Sequence, residues 1–581
     1  MSRLRRISME GDRASVQGAV RGRLAFAMIV FLCLYAGMGL RLFALTVLPD
    51  VSEPSVEIGR ADQGASDALH YGRADIVDRN GILLATTLPV ASLYVDAALV
   101  ASPDRLTRDL LAVFPDLSHD DVLAKLSSGK RFVWLKRGLT PAQHQAANAI
   151  GDPALRFQDE TRRFYPQGDL FAHALGYVGV DGQGLEGLER LENSTLGLAG
   201  EPLVTTLDVR VQYAAKKALR KAVTSFTALG GVAMVADVRS GEILAAVSYP
   251  DFDPHFAASA NRSQIFNRFA TGVYEMGSTF KIFSTAAYLE KDGIRLSDRF
   301  DATKPIQKGR FQIRDYHAQK RVMTLPEVFM HSSNIGSALM GEAVGTQALR
   351  EFYRNLGFLN DYKAAGIDAA QGLYPDPWRD LSTLTVSYGH GLAVTPVHLM
   401  NGFVTLVGDG TDKHIRLRPL EDTHKDSIDV RVVDEKTVDR MRRLLRLTVA
   451  KGTGSKADVT GYAVGGKTGT AEKSAVRGYD RSRKLSSFIA AFPAHDPRYA
   501  VLVIVDEPNG RKDTYGYATG GWVAAPAVGE IITAMTSIYS LPPVDDAVDA
   551  AFYEPLLPLV RDEKGMPYHQ TNNTTFVEFD Q

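Results

Sequence analysis

Between Leu24 and Leu40 the chain runs seventeen residues without a charge, every one apolar or small, and beyond Arg41 the apolar character resumes from Leu42 to Leu48. No other feature constrains folding as strongly. Inside hydrocarbon a backbone must satisfy its own N–H and C=O groups, so a segment of this kind that enters a bilayer does so as a helix. With the extension past one arginine, which can snorkel near a helix end, the run is long enough to span the membrane. Its flanks are asymmetric: Arg3, Arg5, Arg6, Arg13, Arg21 and Arg23 precede it, while Asp50, Glu53 and Glu57 follow. The positive-inside rule therefore predicts a cytoplasmic stretch over 1–23, an anchor over 24–48, and everything later outside. A cleaved signal peptide would carry a shorter apolar core and a small-residue cleavage site, and no clear A-x-A follows Leu48. A buried core helix would leave the charge asymmetry without a cause.

At 581 residues two or three domains are expected. A charged fraction of 23% beside 45% apolar residues marks a folded chain rather than a disordered one. The net charge of −1 excludes the basic footprint that nucleic-acid binding needs. The single cysteine, Cys33, lies within the apolar run, so the external part is predicted to fold without disulfides. His317, His331, His390 and His398 are scattered, with no H-E-x-x-H or Cys/His cluster, and neither a metal nor a cofactor is expected.

Residues 49 to about 72 are polar and read as a linker. Strand character starts at Arg73, and Asn80-Gly81 between apolar segments predicts a hairpin, since both residues tolerate positive φ. Helical spacing over Leu106–Phe114 and Ala142–Ile150 makes 49–204 a mixed α/β module without a catalytic constellation. A second module is predicted over 205–540. It opens with a helix over Val209–Phe226 and a hairpin of Gly231–Asp237 with Ile243–Val247. A later hairpin runs from Ser487 through His495-Asp496-Pro497 to Val505. Strands at both ends with helices between them predict an α+β fold, an antiparallel sheet flanked by helices. Pro542-Pro543 and polar residues make 541–581 a tail expected to be poorly ordered.

Within the second module three short motifs occur in order: Ser278-Thr279-Phe280-Lys281, Ser332-Ser333-Asn334 and Lys467-Thr468-Gly469-Thr470. Each alone is weak, since Ser127-Ser128-Gly129-Lys130 also spells S-x-x-K and Ser259-Ala260-Asn261 also spells S-x-N. Order and context separate them: Ser278 opens an apolar helical stretch, and the K-T-G is strand-like and unique. The chemistry they permit is acyl transfer by a serine. A hydroxyl needs a base, and Lys281, three residues on, shares a helix face with Ser278. Burial and a second cation, Lys467, would lower its pKa. The backbone N–H of Ser278, at the positive end of the helix, and that of Thr470 would face the oxyanion. Ser332 would relay a proton to the leaving amine and Asn334 would bond the substrate backbone. Lys467, Thr468, Gly469 and Thr470 would form the strand that grips a substrate carboxylate.

The motif set is that of penicillin-binding proteins and serine β-lactamases. The chain further resembles the class B penicillin-binding proteins from the anchor to about residue 535. Arg73 to Ala85 (RADIVDRNGILLA) is similar to the opening motif of that family's non-catalytic pedestal, and Gly184 to Glu189 to its next landmark. Asn267 to Lys281 (NRFATGVYEMGSTFK) matches the nucleophile motif, with Met276 where a proline is usual, and Gly466 to Ala471 matches the third motif. Met276 precedes the helix and is expected to alter entry geometry without loss of chemistry. Residues 512 to 526, ending Ala524-Ala525-Pro526, resemble the family's closing motif, while Phe132 to Arg137 and Ser387 to Leu392 with Val394-Thr395-Pro396 resemble the septal cell-division subfamily, His390 standing for a tyrosine.

That resemblance implies a peptidoglycan D,D-transpeptidase in the bacterial inner membrane, with a single span and its catalytic part in the periplasm at the division septum. Its substrates would be stem pentapeptides, its inhibitors β-lactams, and its partners a SEDS-family lipid II glycosyltransferase and other divisome membrane proteins. The alternatives are an elongation-type enzyme, a carboxypeptidase or β-lactamase, and a non-catalytic penicillin-binding scaffold. A class A β-lactamase needs a deacylating Glu, and the nearest approach, Glu351 to Asn355, reads as surface helix.

Overall fold

A computed structural model of the chain describes residues 28–38, 72–197, 200–309, 311–420, 430–474, 479–562 and 564–568. Helix α1, Met28–Met38, lies within the apolar run, its side chains exposed. The rest of the predicted anchor, the cytoplasmic stretch and the linker up to residue 71 lie outside the described residues.

The first module is built on β1 (Ile76–Val77) and β2 (Leu83–Val95). The turn between them follows from Asp78, whose carboxylate accepts from Asn80 N at 2.7 Å and Ile82 N at 2.9 Å. Gly81 takes φ +81°, but Asn80 stays in the ordinary region. The expected hairpin is present with one positive φ: the Asp78 cap closes the turn where a two-residue mirror turn would need two. Helices α2 (Pro103–Val113) and α3 (His119–Leu126) follow, then β3 (Val133–Leu139), α4 (Pro141–Ala149), β4 (Leu155–Phe164) and β5 (Leu203–Val204). The sheet order is β3-β2-β1-β5, with β4 also pairing β2. Leu93, Val95, Leu106, Leu110, Phe114 and Leu139 form its core. A separate anchor is ionic: fully buried Glu189 takes the guanidinium of Arg73 on one side and Arg163 Nε, at 2.7 Å, on the other. Two landmarks more than a hundred residues apart are thereby joined.

Helix α5 (Val209–Ser225) is capped by Asp208, which accepts from Arg210 N. It leads into β6 (Gly230–Asp237) and β7 (Ile243–Tyr249). Among the helices that then intervene are α6 (Lys281–Leu289), α7 (Leu325–Met330), α8 (Asn334–Val344), α9 (Pro396–Val407) and α10 (Glu435–Lys451). Strands β8 (Gly465–Ser474), β9 (Tyr479–Phe492) and β10 (Tyr499–Asp506) and helix α11 (Gly520–Ile538) complete the layer. The sheet runs β8-β9-β10-β6-β7, antiparallel throughout, with Ala490 opposite Val501, Val501 opposite Val235 and Val235 opposite Ala245. Side chains alternate between faces. Val235, Val501 and Phe488 meet Leu219 of α5 and Ile531 of α11, while Met234, Leu502 and Ile489 join the cluster of Phe283, Met400 and Leu444. Helices cover both faces, which is why Val501 to Val505 is apolar at every position. Helix α11 has the length and composition to cross a membrane, yet much of it is buried, so it is a core helix.

The expected disorder after Leu541 is not found up to residue 568. Helix α12 (Asp546–Tyr553) and a 3-10 segment, Glu554–Leu559, bury Phe552, Leu556, Leu557 and Val560. Asp549 grips buried Arg446 of α10 through both oxygens, at 2.7 and 2.6 Å. A pattern of short apolar clusters broken by prolines hides an ordered strap. Residues 569–581 lie outside the described residues.

Candidate active site

A short antiparallel pair, Tyr274–Glu275 with Ala393–Val394, delivers the chain to buried Met276. Ser278 sits in a 3-10 turn, Gly277–Phe280, that feeds α6 at Lys281. The expected single helix is thus two, and the tighter turn eclipses positions i and i+3, setting Ser278 over Lys281. Two glycines allow the turn to press on the edge strand. A Cβ on Gly277, at φ +54°, would stand 2.7 Å from Thr470 O. One on Gly469 would stand 2.8 Å from Met276 O and 2.2 Å from Ser487 Oγ. Sequence positions 277 and 469 are therefore in backbone contact distance of each other's motif. Ser278 itself is half-buried.

Lys281 is fully buried. Its Nζ donates to Ser332 O at 2.5 Å, to Asn334 Oδ1 at 2.7 Å and to Ser332 Oγ at 3.2 Å. Lys467, also fully buried, donates from Nζ to the same Ser332 Oγ at 2.9 Å. Ser332 takes φ +57°, a left-handed conformation unusual for serine, and so turns both its oxygens toward the lysines. Ser333 points the other way: its Oγ donates to Asp315 Oδ2 at 2.8 Å and accepts from Gly336 N to cap α8. Among the described residues no hydrogen bond joins Lys281 Nζ to Ser278 Oγ, because two carbonyl oxygens and the Ser332 hydroxyl take its protons.

Burial pushes Lys281 down to about 7, and the Asp315 carboxylate opposes that by favouring the charged form. Burial also pushes Lys467 well below its ordinary value, with the Lys281 charge acting in the same direction. The repulsion between the two amines is mutual, so each disfavours the charge of the other. Two amines on one hydroxyl in a dry site favour a single shared charge. As a neutral amine Lys281 would still donate to Ser332 O and Asn334 Oδ1, leaving its lone pair for a third partner.

On β8, Thr468 Oγ1 bonds Thr453 Oγ1 at 3.0 Å, and Thr470 Oγ1 accepts from Gly520 N, at the start of α11, at 3.1 Å. Because β8 is the edge strand, alternate backbone groups along it lie outside the ladder. The structure thus brings Lys281, Ser332, Asn334 and Lys467 together, with Thr468, Gly469 and Thr470 on the strand that carries Lys467. The decoys fall elsewhere: Ser127 to Lys130 are exposed at the end of α3, and Asn261 caps the helix Arg262–Ile265. Glu351 is exposed on the helix Thr346–Asn355.

Sequence reasoning missed three contributors. Asp315 holds Ser333, and Arg314 O accepts from Asn334 Nδ2 at 2.9 Å, but the segment has no motif of its own. Gly389, at φ +86°, leaves room for Gly277 O, and its own carbonyl accepts from Gly277 N; the G-x-G around His390 was the available signal. His390 is pushed down to about 4 by burial and by the Lys281 charge, so it is neutral at neutral pH. A groove of about 1170 Å³ between α5 and α11, lined by Tyr213, Lys217, Pro526 and Ala534, lies across the sheet from Lys281 and holds no residue of the three catalytic motifs.

Comparison with known proteins covers nearly the whole described chain. Residues 70–200 match the family model of the Penicillin-binding Protein dimerisation domain, and 231–533 that of the Penicillin binding protein transpeptidase domain. The chain is 40% identical to the probable peptidoglycan D,D-transpeptidase FtsI of Caulobacter vibrioides, over 82% of this chain and 83% of that one. It is 30% identical to the probable peptidoglycan D,D-transpeptidase PenA of Neisseria gonorrhoeae, over 92% and 96%. A crystal structure of penicillin binding protein 3 from Mycobacterium tuberculosis complexed with aztreonam shares the fold, with a TM-score of 0.63 at 23% identity over 82% of this chain and 97% of that one.

Proposed function

The chain belongs to the class B penicillin-binding proteins, and from that premise we propose that it is a peptidoglycan D,D-transpeptidase whose nucleophile is Ser278. Neutral Lys281 takes the Ser278 proton as Oγ attacks the carbonyl of the penultimate D-Ala of a stem pentapeptide. The tetrahedral oxyanion is held by the Ser278 and Thr470 backbone N–H groups, each such donor lowering the barrier by about 3 kcal/mol. Collapse breaks the peptide bond, and a proton passed through the Ser332 hydroxyl leaves with the terminal D-Ala. The amino group of a second stem peptide then attacks the ester, Ser278 regains its proton, and a cross-link is formed. Thr468, Gly469 and Lys467 bind the terminal carboxylate, and Asn334 the peptide backbone. β-Lactams acylate the same oxygen.

What carries this reading is the meeting of two buried amines on the Ser332 hydroxyl beneath the Ser278 turn. The catalytic part, from 205 through the ordered strap, stands on the 49–204 pedestal outside the membrane, tethered through 24–48. The similarity to FtsI proteins and the septal-type segments around Trp134 and His390 support work at the division site beside a SEDS-family glycosyltransferase. Labelling with a fluorescent penicillin tests the nucleophile: Ser278→Ala should abolish the adduct, and a persistent adduct would assign the reaction to another serine. A fluorescent fusion found along the sidewall instead of at midcell would exclude the septal role.

A further inference from the structure

The loop that follows the small hairpin Ile306–Lys308 with Phe311–Ile313 makes three bonds to one catalytic motif. Asp315 Oδ2 accepts from Ser333 Oγ at 2.8 Å, Asp315 Oδ1 accepts from Ile335 N at 2.9 Å, and Arg314 O accepts from Asn334 Nδ2 at 2.9 Å. Ser333 and Ile335 flank Asn334, and Ser332 stands in its strained left-handed conformation just before them. A turn of this kind persists only where its surroundings over-determine it. The bidentate grip of one carboxylate on a hydroxyl and on a free N–H in the first turn of α8 is such a restraint. The charge of the same carboxylate bears on Lys281, favouring its protonated form. The other groups facing that amine are the Ser332 and Asn334 oxygens, Lys467 from β8 and neutral His390 from the loop after Ser387.

We propose that Asp315 is a positioning residue for acylation: it pins the Ser332–Asn334 turn against Lys281 and supplies the negative charge that the buried pair of amines faces. The proposal rests on Ser278 chemistry as set out above, but it assigns two separable jobs to a residue outside the three motifs. Restraint works through hydrogen bonds, so it survives an isosteric amide. Charge does not.

The test is the pH profile of acylation by a fluorescent penicillin, measured on the full chain in detergent for wild type, Asp315→Asn and Ser333→Ala. Loss of the negative charge favours the neutral amine, so Asp315→Asn should move the acidic limb to lower pH. Its rate at pH 6 relative to pH 8 should rise, by roughly fivefold for a shift of one unit from about 7. Ser333→Ala keeps the charge and loses the link, so its rate should fall about tenfold or more at every pH with the limb unmoved. Melting curves identify any variant that fails to fold, and the second variant then carries the comparison. An unmoved limb in Asp315→Asn, or wild-type rates in Ser333→Ala, would overturn the assignment. Absence of labelling in the wild type would instead count against the Ser278 reading itself.

Discussion

Lys281 and Gly469 show how individual residues govern this site. Lys281 must be neutral to accept a proton, and burial holds it near 7. Acylation should therefore rise as pH increases through about 7 and fall on acidification, and a rate that is flat from pH 5 to 9 would remove Lys281 as base. Replacing Lys281 with Met should lower the rate constant by about 10²-fold or more, as expected for a lost general base. Gly469 is constrained by contact: a methyl there would enter the space of Ser487 Oγ and Met276 O. Gly469→Ala should cost ~1–3 kcal/mol, in line with overpacking elsewhere, and open the Ser278 turn. Calorimetry and penicillin labelling check the two parts. Met276, by contrast, has φ −87° after an extended residue, close to what proline accepts. Met276→Pro should retain acylation while losing some packing of a fully buried side chain. The departure at this position was visible in the sequence; its mildness follows from a backbone angle that only the fold reveals.

Elements bring the motifs to the site, and the strap after Leu541 holds two of them from behind. Thr324 Oγ1 donates to Leu559 O at 2.7 Å, Arg561 N to Glu327 Oε1 at 2.9 Å, and Tyr568 Oη to Lys451 O at 3.3 Å, while His331 Nε2 lies 2.9 Å from Arg561 O. His331 immediately precedes Ser332, and Lys451 lies two residues before Thr453, the partner of Thr468. A stop after Pro558 removes these bonds and the buried Val560, worth ~1.5 kcal/mol or more in burial alone. The melting temperature of the shortened protein should drop by several degrees, and an unchanged value would show that the strap is passive. The strap was missed because its apolar residues come in clusters of four or fewer, broken by prolines and acidic residues, too short for a periodicity to register. The long helices and both hairpins of the catalytic layer were legible for the opposite reason: α5, β6, β7 and β10 each carry an unbroken apolar pattern, as does β9 from Phe488 onward.

Across the whole molecule, the pedestal is held by a buried charge cluster rather than by apolar packing alone. Glu189 sits between Arg73 and Arg163 with no solvent contact, so Glu189→Ala leaves two buried cations without their anion. Loss of one partner of a buried pair costs ~3–5 kcal/mol. Chemical denaturation should show destabilisation of that order in Glu189→Ala and less in Glu189→Gln, which fills the space and keeps one acceptor oxygen. The local grammar of the chain, read along its length, determined the antiparallel sheet with its flanking helices, the serine, lysine and asparagine candidates, and the order in which they occur, because periodicity and motif chemistry are properties of neighbouring residues. Which amine meets which hydroxyl, the left-handed twist at Ser332, the hold of Asp315 and the packing of Gly277 against Thr470 were decided only in three dimensions. Each depends on close approach between residues 18 to 193 positions apart, and a linear pattern carries no record of distance or of dryness.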